Sequence, residues 1–275
     1  MNTELMPPEH DEPEHEAGSV MAFWDHVEEL RWVLIKSLVA FFLSFCLVLA
    51  GAVWFSDVLQ WPLVQAYEMM GQSGQDIQLR TDGPNNVFAF LIQLGFFGSI
   101  ALALPFMLYF MIQFVAPGLT SKEKRILRPV FLSIIGLFFA GLLTAFFLLV
   151  PFYLYMSLKF EAMFHFASFW TPVKYYGIVV WTSLGLGLLF QSPLVIILLI
   201  YLDIVSAEQL RKSRRYAMFI ILVIAALLTP GGDPFTLAIT AGPLYALYES
   251  AVFIGSLLRK KKVAAEEIEW EDDIR

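Results

Sequence analysis

The sequence predicts an all-α integral membrane protein with six transmembrane helices, and three observations predict it. Hydrophobic residues make up 58% of the 275 positions and charged residues 16%. A water-soluble fold of this size would lack the polar side chains to clothe its surface. The apolar residues gather into runs long enough to cross about 30 Å of hydrocarbon, which takes roughly 20 helical residues. The cations gather into alternate connections between those runs, which sets an orientation.

Four runs are continuous: Val33–Phe55, Val87–Val115, Pro129–Leu158 and Tyr175–Leu202. The last apolar region, Tyr216 to Leu258, is interrupted by Pro230-Gly231-Gly232-Asp233-Pro234, a cluster that cannot remain helical and makes a tight turn. It reads as a hairpin of two further spans. The fifth, Tyr216 to about Leu228, reaches only about 20 Å at 1.5 Å per residue, so the bilayer is expected to thin beside it. The sixth contains Gly242-Pro243, which removes a rung from its hydrogen-bond ladder.

With an even number of spans, 15 of the 18 Lys and Arg residues fall on one side, leaving Arg80, Lys159 and Lys174 on the other. Short cytoplasmic loops carry such an excess, so both termini are expected in the cytoplasm. Trp54, Trp61, Trp170 and Trp181 fall near the proposed outer boundary, and Trp24 and Trp32 flank the inner one, as interfacial anchors do. The outer loops, 56–86 and 159–174, are the long ones and are expected to cap the outer face.

The net charge of −7 belongs to the tails, since 12 of the 25 carboxylates lie between Glu4 and Glu16 or between Glu266 and Asp273. Residues 1–20 therefore read as an acidic disordered tail, 21–258 as the membrane domain, and 259–275 as a basic and then acidic tail. The first twenty residues lack the apolar core of a cleavable signal, which leaves the first span as the insertion signal. The single Cys46 excludes a disulfide framework.

Chemistry has few places to sit. There is no nucleotide-binding GxxxxGK[ST] loop and no HExxH pair, and no histidine lies in a span to activate Ser183, so neither catalysis nor a cofactor is expected. Before the first span, residues 23, 24, 27, 30 and 34 share one apolar helical face, and Asp25 and Glu29 share the opposite one. Such a helix lies at the interface and either offers carboxylates to a cationic ligand or carries a solvated face with a Glu28–Arg31 pair. In the second inner loop, Glu123 stands among Lys122, Lys124, Arg125 and Arg128. There it completes a capping box with Thr120 or accepts an incoming arginine.

Inside the spans, Gln191 and Glu249 are the costly polar groups, candidates either for a wet concave pocket or for ties between helices. Gln93 and Gln113 are weaker cases. Asp233, just before Pro234, reads as the N-cap of the sixth helix.

Several short segments taken in order resemble one family. They are His26-x-x-Glu29-Leu30-Arg31 before the first span, Pro62 in the first outer loop, Pro105-x-x-x-Tyr109, and Phe114-x-x-Pro117-Gly118-Leu119 followed by Glu123-Lys124-Arg125. Further on come Phe190-Gln191-x-Pro193, Leu210-Arg211-Lys212-x-Arg214, Leu228-Thr229-Pro230 before Asp233, and Pro243-Leu244-Tyr245 ahead of Tyr248-Glu249. From Phe23 to Leu258 the chain is similar to the TatC family, the polytopic receptor of the twin-arginine protein translocase.

The resemblance implies a concave, glove-like bundle with short fifth and sixth helices, residing in the inner membrane of a prokaryote. It implies that Glu29 and Glu123, with Phe114, His26 and Arg31 beside them, bind the paired arginines of a signal peptide. It also implies that Gln191 and Glu249 lie in an intramembrane groove and Asp233 in the outer turn. The implied partners are TatA- and TatB-type single-span subunits, signal peptides of folded cargo, further copies of the chain, and lipid, with no nucleic acid and no cofactor. The proton-motive force would drive export.

Two departures matter. Some members carry Glu where Gln191 stands, and the amide cannot ionise. The turn before Asp233 is one residue longer than in relatives with a Pro-Asp turn. A competing reading, from the polar spans and the broken sixth helix, is a proton-coupled small-molecule transporter with Gln191 and Glu249 at its substrate site.

Overall fold

The structure is a computed structural model that describes residues 14–72, 79–115, 121–166, 170–201, 203–229 and 233–273. Side chains are described for 24, 26–72, 79–114, 129–166, 170–201, 203–229 and 233–260. All regular structure among these residues is helical: α1 Glu14–Ala50, α2 Ala52–Met69, α3 Pro84–Val115, α4 Ser121–Thr144, α5 Val150–Met163, α6 Pro172–Leu189, α7 Ser192–Tyr201, α8 Ala207–Lys212, α9 Arg214–Leu228 and α10 Pro234–Asp273. A π-helical turn, Ala145–Leu149, joins α4 to α5.

Five helical runs among the described residues are long and apolar enough to cross a membrane: His26–Ala50, Pro84–Phe114, Pro129–Met163, Pro172–Tyr201 and Pro234–Lys260. The helix assigned as the fifth span, α9, has 15 residues. Its length of about 22 Å falls short of the hydrocarbon core, as its sequence predicts.

The sixth helix departs from expectation. Rather than short, α10 is 40 residues long and continuous through Pro243. A proline inside a membrane helix leaves a carbonyl that neighbouring groups can satisfy, so Gly242-Pro243 need not end the helix. The same helix carries 259–273 onward without a break, and α1 already begins at Glu14, so parts of both segments read as disordered tails are helical. The first span also ends sooner than its apolar run. At Gly51 (φ −99°, ψ 18°) the chain leaves α1, and 52–55 belong to α2.

Glycines decide how close the helices come, because lipid is as apolar as leucine and association depends on fit. Helix α1 packs along α3 where Gly95 faces Phe45 and Leu49 and Gly98 faces Val48. Helices α4 and α6 cross backbone to backbone. A Cβ on Gly141 would lie 2.8 Å from the Leu186 carbonyl oxygen and 2.9 Å from Gly187 Cα, and one on Gly187 would lie 2.9 Å from the Phe138 ring. Phe138 is fully buried there beside Val180 and Leu184.

Two further interruptions have local causes. Pro151 at the start of α5 has no N–H to donate, and the preceding π turn absorbs the missing rung. Pro193 does the same at the α6–α7 junction, where the helix tightens around Phe190 and Gln191. The run Pro129–Met163 is 35 residues, about 52 Å, so its far end stands outside the hydrocarbon.

That far end supports the cap. The segment between the first two apolar runs contains a helix, α2, whose Leu63 and Ala66 are buried against Leu154 and Leu158 of α5 and Tyr175, Tyr176 and Val179 of α6, with Pro62 buried beside them. The Tyr175 hydroxyl donates to the Leu59 carbonyl at 2.6 Å, and the Tyr176 hydroxyl sits 2.6 Å from Ser56 Oγ and 3.0 Å from Gln60 Nε2. The Arg80 N–H donates to the Trp170 carbonyl at 3.1 Å and joins this segment to the one before α6. On α2, Tyr67 is held above its ordinary phenol pKa by burial and then by the negative charge of Glu161.

Candidate functional site

At the end of the bundle where the cations cluster, the N-terminal half of α1 leans on the last turn of α3. His26 stacks on Phe114 with ring centroids 4.2 Å apart and an interplanar angle of 18°. One turn further along α1, Glu29 Oε2 lies 3.7 Å from His26 Nδ1. Both side chains remain more than half exposed, His26 at 56% and Glu29 at 53%. The result is an open carboxylate beside a two-ring platform, reachable from water and able to accept a guanidinium on its free edge. Arg31 lies over the Trp32 ring, its Cζ 5.9 Å from the ring centre.

The structure thus brings together His26, Glu29 and Phe114. Glu123 belongs to the first turn of α4, while its side chain and that of Asp25 lie outside the described residues, as do positions 116–120.

The intramembrane candidates sit apart from this platform and are engaged by protein groups. Gln191 Nε2 donates to the Ile134 carbonyl at 2.9 Å, tying the α6–α7 bend to α4. Glu249 accepts from Arg214 of α9 at 2.9 Å through one oxygen and from the Tyr245 hydroxyl at 2.9 Å through the other. Tyr248 donates to the Leu210 carbonyl of α8 at 2.8 Å. Both Gln191 and Glu249 make ties between helices. At the opposite end, Asp233 accepts the Thr236 N–H at 2.8 Å and caps α10.

Sequence reasoning missed the partners rather than the residues. Nothing local marks the Ile134 carbonyl, and Arg214 precedes Glu249 by 35 positions with no shared period. The ring pair His26–Phe114 is 88 positions apart, and only the crossing of α1 over α3 brings it together. Among the described residues no three His, Cys, Asp or Glu side chains are placed to hold a metal ion.

These features define a class: a polytopic helical membrane protein capped at one end by α2 and carrying, at its basic end, an exposed carboxylate-aromatic surface. The family described as Sec-independent protein translocase protein (TatC) matches residues 25–243. A TatC protein of Synechocystis sp. is 35% identical over 87% of this chain and 90% of its own length, and one from Aquifex aeolicus is 31% identical over 88% and 98%. Two crystal structures of the twin-arginine translocase receptor TatC superimpose with TM-scores of 0.68 and 0.71. Both are 29% identical, cover 85% and 84% of this chain, and are matched over 99% of their own length.

The chain belongs to the TatC family, membrane-spanning components of the Sec-independent protein translocase. The transporter reading is not supported. Its proposed substrate groups, Gln191 and Glu249, are occupied by Ile134, Arg214 and Tyr245, and the family is one of protein translocase components.

Proposed function

We propose that this protein is the receptor that captures twin-arginine signal peptides, and that Glu29, the platform of His26 on Phe114, and Glu123 form the capture site. The observation that carries the proposal is the open Glu29 carboxylate held beside stacked rings at the basic end. One arginine pairs bidentately with Glu29, its plane lying against the platform, and the second pairs with Glu123 at the head of α4. A lysine offers a single rounded charge and loses both the fork and the stacking. Arg31 borders the site and turns the binding face toward Glu29.

In this reading α9 completes six spans, both termini are cytoplasmic, and the protein sits in the inner membrane of a prokaryote. Residues 21–258 form the working domain. TatA- and TatB-type subunits, further copies of the chain and folded cargo assemble on it, and the proton-motive force drives transport. The positive connections near α4, α8 and the end of α10 support that orientation.

Binding of a labelled signal peptide carrying Arg-Arg or Lys-Lys to the purified protein tests the capture site. Glu29→Ala and Glu123→Ala should each weaken capture of the Arg-Arg form about tenfold, the worth of one charge-assisted bond at an exposed carboxylate. Wild-type protein that held both peptides equally would sink the model. Orientation is tested by labelling single cysteines, placed in a Cys46→Ser background at 208 and 165, from each side of sealed vesicles.

A further inference from the structure

An apolar slot of about 340 Å³ runs along α9, between that helix and α7 and α10. Its lining extends from Ser213 and Tyr216 at the basic end through Ile220 to Ile224, with Leu244 and Tyr248 of α10 forming the far wall. Eleven residues separate Ser213 from Ile224, so the slot is about 16 Å long, close to one leaflet of a core about 30 Å thick.

The wall is apolar along its length, and a volume of about 340 Å³ leaves room for one acyl chain.

The mouth has the opposite character. Arg211, Lys212, Arg214 and Arg215 stand within five positions, at the end of α8 and the start of α9. Lys212 pairs with Glu208 at 2.9 Å and Arg214 with Glu249 at 2.9 Å. Two carboxylates against four cations leave the mouth two charges positive. Arg211 reaches Ser256 Oγ at 3.3 Å, while Arg215 lies over the ring of Tyr216, 5.8 Å from its centre, and Tyr216 is itself part of the slot wall.

We infer that this slot is a binding site for an anionic phospholipid, with one acyl chain along α9 and the phosphate at Arg215. Basic clusters flanking a membrane helix bind such headgroups. The short α9 supplies the reason for a resident lipid. A helix of about 22 Å leaves the bilayer mismatched, and an ordered chain seated beside it fills the gap between α9 and the longer runs of α6–α7 and α10.

The test uses the full chain in nanodiscs containing phosphatidylglycerol or phosphatidylcholine, each with a diazirine on the same acyl chain. Phosphatidylglycerol should label peptides containing Ile220, Ile224 or Leu244 several-fold more than phosphatidylcholine does. Arg215→Gln should lower that labelling about fivefold, as expected for one cation at an anionic headgroup, and Ile224→Trp should abolish it by filling the slot. Because Arg215 is exposed, its substitution tests the site even if Ile224→Trp does not fold.

Equal labelling by the two lipids, no response to Arg215→Gln, or label spread evenly over the lipid-facing helices would overturn the proposal. So would a photoreactive residue at position 224 that, in native membranes, captures a signal peptide, a single-span protein or a second copy instead of lipid.

Discussion

Two glycines on one helix give a prediction of opposite sign. Gly136 and Gly141 both lie in α4, yet a Cβ on Gly136 meets nothing within 4 Å, whereas one on Gly141 lies 2.7 Å from the Phe190 ring, 2.8 Å from the Leu186 oxygen and 2.9 Å from Gly187 Cα. The last two atoms are backbone and cannot rotate away. To restore ordinary contact the α4–α6 crossing must open by about 0.6 Å, and such overpacking costs about 1–3 kcal/mol.

Replacing glycine by alanine gains up to about 1 kcal/mol of helix propensity at either position, so the difference between the two variants isolates the strain. Gly136→Ala should be neutral or stabilising, and Gly141→Ala should be less stable than it by about 1–3 kcal/mol. Unfolding in mild detergent by increasing SDS fraction, followed by tryptophan fluorescence, measures both. A difference under about 0.5 kcal/mol would refute the claim that backbone contact sets this crossing. The consequence reaches the Gln191–Ile134 bond, which bridges the same two elements two turns along α4 and one turn past Gly187.

Gln191→Leu should cost about 0.6–1.7 kcal/mol, the range for a hydrogen bond between membrane helices, without making transport more or less sensitive to pH, because an amide does not titrate. A double-mutant cycle on Arg214→Ala and Glu249→Ala should show coupling of about 0.5–1 kcal/mol, since both groups are partly exposed, and additive losses would mean the pair is incidental. Tyr176→Phe removes the hydroxyl shared by Ser56 and Gln60 and should destabilise the α2 cap by about 1 kcal/mol, read as faster protease cleavage within 52–69 while the spans remain intact.

The helices themselves were legible for a physical reason. In hydrocarbon every backbone polar group must be paired within its own segment, so a long apolar run has few options besides a helix. Local exceptions were harder to read. Gly242-Pro243 marks a lost rung in the sixth helix, yet α10 runs through it without a break. Gly51 carries no strong signal and nonetheless separates α1 from α2. The site was half legible: the residue types and their order pointed to Glu29, His26 and Phe114, whereas the stack that makes a platform of two of them was not visible.

By itself the sequence determined that this protein lives in lipid, where its apolar helices run, which end gathers positive charge, and which family its motifs resemble. Tertiary structure alone decided which helices touch, that Gln191 and Glu249 make ties between helices, and that an apolar slot runs beside α9. The division follows from the solvent. Lipid imposes helix through the backbone, a demand every apolar run advertises, but it gives helices no general reason to associate. Pairing rests on close fit at single positions such as Gly141 and Gly187, and such fits leave no period in the sequence.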